Sequence, residues 1–303
     1  MPRITKFHLG LLFAAAAAAC NFGAEHVVVP SSDMNTAPWD AAATRDGNYL
    51  FTADGETGNI LSLFDTAGTT LDWYVHSDDP LLGLAVDPSH TDSIRVMQES
   101  SIHRYSVSGG QMAVDPSGTV PLPGVFVGEY CDLAVDLNGD VYVTAVNSLV
   151  WWSQVYQWST LYRWDAAAGD WTTSTTLPTS DCHSVSVDPT GNALAVASSN
   201  DVTLFDKTDL TVTGDFTTDA PVLGFDLFGG VFLIGGHGYS PSYGADVTRY
   251  VQMLDLDGTQ IDFVETSQMP EVLQLTDVAS TGELRAWVAG DDSTTAVSWY
   301  EVD

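Results

Sequence analysis

The sequence predicts an all-β fold: a six-bladed β-propeller of four-stranded antiparallel blades, with an N-terminal strand closing the last blade. Three observations predict it. First, a phrase of two alternating apolar runs around a tight turn recurs along the chain. Cys131–Thr144 (CDLAVDLNGDVYVT), His183–Ser198 (HSVSVDPTGNALAVAS) and Leu82–Met97 (LGLAVDPSHTDSIRVM) are close copies; Trp39–Thr52, Leu223–Gly235 and Thr276–Ala289 are looser ones. Alternation is the period of a half-buried strand, and a short loop such as Asn138-Gly139 between two such runs signals a hairpin. Second, Asp136 has equivalents at Thr44, Asp87, Asp188, Asp226 and Ala279, at intervals of 38 to 53 residues. That is the period of a propeller blade. Third, no long stretch after residue 20 has helical periodicity, which sets aside the helix-pair solenoids that share the period.

The elements follow in order. Met1–Cys20 (MPRITKFHLGLLFAAAAAAC) has a basic start at Arg3 and Lys6, an apolar run from Leu11 to Ala19, and small residues before Cys20. This is the pattern of an export signal, too short to span a bilayer. Residues 21–25 read as a tether. His26–Pro30 (HVVVP) reads as a strand with no hairpin partner nearby, while Thr294–Val302 (TTAVSWYEV) leaves the last blade one strand short. Pairing the two removes two open edges and closes the ring. The expectation is one propeller domain over 26–303. Its blades lie at about 38–80, 81–127, 128–180, 181–220 and 221–270, and the sixth is 271–303 completed by 26–33.

Charge bounds the partners. All 40 acidic residues follow Cys20 but only seven of the nine Lys and Arg do, for a net charge of −33. Such a surface repels phosphate backbones and anionic head groups, which argues against nucleic acid. It attracts cations, Ca²⁺ among them, and it keeps a protein soluble in saline surroundings.

Propeller geometry distributes the remaining features between two faces. The short turns Asp46-Gly47, Asn138-Gly139, Thr190-Gly191 and Thr281-Gly282 share one. The other receives two long insertions, expected as loops: Val146–Thr160 (VNSLVWWSQVYQWST) and Gly235–Arg249 (GGHGYSPSYGADVTR). Long loops on rigid scaffolds are often binding loops. Their aromatic residues Trp151, Trp152, Tyr156, Trp158, Tyr239 and Tyr243 suit a protein or glycan ligand, or pack on one another. Cys131 and Cys182 fall near the starts of adjacent innermost strands; in an oxidising compartment they form a disulfide, or else remain two buried thiols. Asp40, Asp132 and His183 share that level, with Asp277 slightly deeper. Converging on the axis, they would hold a cation or activate water. The small neighbours Ala42, Ala85, Ala134, Ser186 and Gly224 fit strands crowded near an axis. Asp136-Leu-Asn138-Gly-Asp140 and Asp255-Leu-Asp257-Gly look like openings of calcium loops, but no Glu stands at position twelve, and both read as hairpin turns. No Gly-rich phosphate loop, GxSxG elbow or HExxH is present.

Two resemblances add to this reading. The phrase AVDxxGxxxV, followed by strands such as LYRWD and WTTSTTLP, resembles the NHL-type and related six-bladed propellers over about residues 24–303. That superfamily includes lactonases, lyases, hydrolases and pure binding scaffolds, so it implies a fold more than a function. Ala17-Ala18-Ala19-Cys20 resembles the lipobox of bacterial lipoproteins, which implies that the Cys20 thiol carries a diacylglycerol and that the chain meets a membrane only through this anchor. The expected function is an exported, lipid-anchored binding scaffold, without a cofactor, that uses its long-loop face. The alternatives are a divergent metal-dependent, lactonase-like hydrolase with a cation on the axis, and a structural surface protein.

Overall fold

The structure is a computed structural model that describes residues 21–30, 40–54, 59–76, 80–124, 128–152, 154–236, 249–266, 270–277, 283–290 and 295–302. Six four-stranded antiparallel sheets form the blades of a propeller. Strand β1 (Phe22–Pro30) opens the chain. Blade one follows as β2 to β5 (Asp40–Ala43, Tyr49–Asp54, Ile60–Asp65, Thr70–Val75), and blade two as β6 to β9 (Leu81–Val86, Ser93–Gln98, Ser101–Ser108, Gln111–Pro121). Blade three is β10 to β13 (Glu129–Val135, Val141–Trp151, Gln154–Asp165, Asp170–Thr176). Blade four is β14 to β17 (Ser184–Val187, Ala193–Ser198, Asp201–Asp206, Val212–Thr217). Blade five is β18 to β21 (Gly224–Phe228, Val231–Gly236, Tyr250–Asp255, Gln260–Glu265). Blade six is β22 to β24 (Val272–Asp277, Leu284–Ala289, Thr295–Val302) with β1 added outermost.

The core is six apolar layers, one between each pair of neighbouring blades. Phe51 and Leu63 of blade one meet Ile94 and Val96 of blade two. Tyr142 and Leu161 of blade three meet Leu194 and Phe205 of blade four. The ring shuts where Val28, Trp287 and Val297 pack on Leu50 and Phe64 of blade one. Burying a side chain of this size contributes roughly 1.5–3 kcal/mol, so each layer ties its two blades firmly.

The N-terminal strand closes blade six as expected, but it is longer. Phe22 already pairs with Val302, and its ring meets Tyr300 edge-on at 5.9 Å, so the expected tether is part of the sheet. Strand β9 runs the full length of Gln111–Pro121, because Gly109 and Gly110, both at positive φ, turn the chain straight back from β8.

The repeat aspartate is a turn-former that also joins blades. Asp136 Oδ1 accepts the amides of Asn138 and Asp140 at 2.8 and 3.1 Å, and Gly139 takes φ +81° to close the turn. Its other oxygen meets Lys207 Nζ of blade four at 3.1 Å. Asp188 of blade four accepts the amides of Gly229 and Gly230 of blade five. Asp255 makes a plain turn, accepting from Asp257 and Thr259. The register differs in blade five. Phe228 pairs with Val231 across Gly229-Gly230, a two-residue turn with both glycines at positive φ. Asp226 therefore lies inside its strand opposite Leu233 and is not a turn aspartate like Asp136.

Scarce cations are spent on structure. Among the described residues the ion pairs include Arg45–Asp277, Arg95–Asp87, Arg104–Asp115, Arg163–Asp140, Lys207–Asp136 and Arg285–Glu283. Two consequences are measurable. Deleting residues 22–30 is expected to abolish the single cooperative thermal transition seen by circular dichroism; an unchanged transition would show that β1 is dispensable for closure. Raising NaCl to ~1 M, where the Debye length falls to about 3 Å, is expected to raise Tm by several degrees, because it screens a charge of −33 more than it weakens mostly sheltered pairs. A Tm that falls with salt would mean that those pairs dominate.

Candidate functional site

Two regions carry the expected site residues: the axis and the insertion of blade three. On the axis the six innermost strands surround a cavity of about 280 Å³. The inner edge of each of these strands has no sheet neighbour, so its amides face the axis and need acceptors. Asp40 of blade one accepts the amides of Ala41 and, across the blade boundary, Leu84. Asp132 of blade three repeats this with Leu133 and Val185 of blade four, each at 2.8 Å. Asp226 of blade five repeats it with Leu227 and Leu275 of blade six, and accepts the Ser186 hydroxyl as well. Odd-numbered blades supply the carboxylate and even-numbered blades the amide. The boundary from blade six back to blade one uses a neutral group: Gln274 accepts from Ala43 N at 2.7 Å and donates to its carbonyl at 3.1 Å.

Burial sets the electrostatics. It pushes Asp132 up to about 7 and Asp226 up to about 6, against the amide hydrogen bonds that favour the anions. Asp40 is raised well above the ordinary carboxylate range by the same burial, and by the charge of Asp132. His183 is buried on the same cavity wall, with Nε2 3.0 Å from Thr179 Oγ1, and burial lowers its imidazole below the ordinary range. Cys131 and Cys182 form a disulfide with Cα atoms 5.4 Å apart, lining the cavity between blades three and four. Ala42, Ala85, Ala134, Ser186 and Gly224 all line it too.

Asp277 does not join this group. It ends β22, whereas Asp40 begins β2, so the two lie at opposite ends of the innermost strands. Its carboxylate takes Arg45 in a bidentate pair, Nε at 2.9 Å and Nη2 at 3.0 Å. Asp226 stands on the axis in its place. The signal for that was the Gly-Gly dipeptide, whose two-residue turn shifts the aspartate into the strand. Among the described residues no group of three or more His, Cys, Asp or Glu is arranged to hold a metal ion.

The insertion of blade three is not a loop. β11 and β12 stay in register out to Val150 opposite Val155 and Trp151 opposite Gln154, forming a twisted ribbon. Their neighbours stop earlier: β10 ends its pairing at Val146 and β13 at Thr160. Five residue pairs therefore run on alone, about 16 Å at strand rise. Opposed residues share a face. Leu149, Trp151 and Tyr156 lie on one face, with half-buried Trp158 at its base; Val150 and Val155 lie on the other. Trp152 caps the turn at φ +51° and is 86% exposed; Val150 and Val155 are 67% and 63% exposed. Val141–Tyr162 contains no Asp, Glu, Lys or Arg. The structure thus brings Trp151, Trp152, Tyr156 and Trp158 onto one ribbon. Tyr239, Tyr243 and the lipidation candidate Cys20 lie outside the described residues.

No family model matches the chain, and no curated protein matches it either.

The axial carboxylates make a pH prediction. The native state holds a proton on Asp132 from about 4 to about 7 and on Asp226 from about 4 to about 6, where the unfolded chain has released them. Stability from these groups is therefore lost as pH rises through about 6 and 7, and Tm is expected to climb by several degrees as pH is lowered from 8 to 5. Asp132→Asn should flatten that climb between pH 8 and 6. A Tm that falls over this interval in the native chain would refute the assignment.

Proposed function

We propose that this protein is an exported, lipid-anchored binding scaffold, related to the NHL-type propellers, that captures a protein partner on its blade-three ribbon. The observation that carries this reading is a ribbon that runs on beyond its neighbouring strands, with exposed apolar side chains on both faces and no ionised ones, on a chain otherwise dominated by carboxylates. A two-stranded ribbon alone is marginally stable in water, and exposed aromatic and aliphatic side chains of this kind suit the desolvated centre of an interface. The acidic surroundings favour a basic partner and speed its approach.

The anchor fits this orientation. Phe22 pairs with Val302, which pairs with Leu284, which pairs with Asp277, so β1 starts at the short-turn end of blade six. An acyl group on Cys20 would hold that end at the membrane and present the ribbon on the far side. The second reading, a hydrolase with an axial cation such as Ca²⁺, draws support from three buried carboxylates around one cavity. We rank it lower because each of them already accepts at least two backbone amides.

The test is capture from an envelope fraction by the native chain and by a Trp151→Ala/Trp152→Ala/Tyr156→Ala variant. All three rings are exposed, so melting should be unchanged while retention of the partner drops about tenfold or more. Equal retention by the two proteins would refute the ribbon as the recognition element. Stoichiometric metal binding with ester or lactone turnover would favour the second reading instead.

A further inference from the structure

A second cavity lies away from both the axis and the ribbon. It is a cleft of about 390 Å³ between blades one and two, bounded by the outermost strands β5 and β9, and its lining includes Trp73, Tyr74, His76, Gln98, His103 and Tyr105. We propose that this cleft binds a neutral carbohydrate.

The floor is a fixed polar network. His76 is buried, with Nδ1 2.7 Å from Gln98 Nε2 and Nε2 3.3 Å from the Tyr105 hydroxyl. Gln98 and Tyr105 are buried as well. The Tyr74 ring sits edge-on to the His76 ring at 4.7 Å and still leaves 56% of the residue exposed. His103 is half-buried at the side, held by Ser101 Oγ at 2.8 Å and Thr119 Oγ1 at 3.3 Å. The His76, Gln98, Tyr105 and His103 side chains are thus held by hydrogen bonds beside an open tyrosine ring. Such a site presents an apolar face beside oriented amide, imidazole and hydroxyl groups, without the entropy cost of ordering them on binding.

Charge selects the ligand class. Asp72 is the single Asp, Glu, Lys or Arg in the lining, and its oxygens accept the amides of Trp73 and Met112. An anion would meet that carboxylate and the field of the whole acidic chain. A cation would find one carboxylate, already engaged with two amides. A pyranose fits what remains, since it offers a C–H face to an aromatic ring and hydroxyls to fixed dipoles. Ala113 and Val114 add apolar surface to the lining. This inference does not depend on the ribbon.

The experiment titrates the purified protein with cellotriose, chitotriose, maltotriose and xylotriose by isothermal calorimetry. At least one is expected to bind in the micromolar-to-millimolar range. Tyr74→Ala should weaken that binding about tenfold or more while Tyr74→Phe preserves it. Val114→Arg, at an exposed wall of the cleft, should block it and serves as a second variant should Tyr74→Ala melt early. Trp151→Ala/Trp152→Ala should leave it unchanged. Absence of binding by all four sugars at millimolar concentration would overturn the proposal. So would binding that survives both cleft variants, or that is lost with the ribbon variant alone. A neutral peptide that binds the cleft when no sugar does would also overturn it.

Discussion

The ring depends on how its inner strand edges are satisfied. A propeller of separate sheets leaves six inner edges pointing at the axis, each with amides that water must reach or a protein acceptor must take. Here Asp40, Asp132 and Asp226 each bridge from an odd blade to the strand of the next even blade, and Gln274 completes the turn from blade six to blade one. The same carboxylates line the central cavity. Removing one acceptor strands a buried donor, at a cost of about 1–3 kcal/mol. These groups are therefore expensive to alter whatever ligand the cavity does or does not receive. Their raised pKa values follow from burial and do not by themselves indicate catalysis.

A second constraint is the shortage of cations. Acidic side chains form the turns, where Asx hydrogen bonding favours aspartate, and a few arginines and one lysine neutralise selected ones across blade boundaries. Arg45 reaches Asp277 of blade six and the Pro88 carbonyl of blade two; Arg163 reaches Asp140 in its own blade and the Thr208 carbonyl of blade four. Arg285 also lies over the Trp299 ring, 4.3 Å from its centre. Apart from buried carboxylates such as Asp132, Asp226 and Asp188, much of the remaining acidity lies at the surface. Against that background the ribbon carries no ionised side chain and the cleft lining only Asp72.

The two proposed recognition elements differ in kind. The ribbon projects from the disc, offers both faces, and is suited to being enclosed by a partner. The cleft is recessed between two blades and rigidly furnished. Both lie apart from the axial cavity and its carboxylate ring.

The repeat in the sequence determined much of this architecture. Alternating runs around Asp-x-x-Gly turns specify hairpins through local hydrogen bonding, as at Asp136 and Gly139, and the blade spacing specifies six of them. The unpaired strand near residue 28 announced the closure, because its only possible partner was the short last blade. The Cys131–Cys182 bond was readable as a possibility from their shared register. Tertiary structure decided the rest, for a physical reason: which atoms meet across a blade boundary depends on strand ends and turn lengths that a one-residue slip reverses. Thus Asp277 faces Arg45 instead of the axis, Asp226 replaces it there through a two-glycine turn, and the blade-three insertion stays paired as a ribbon. The cleft beside Tyr74 exists only where β5 and β9, far apart along the chain, are brought side by side.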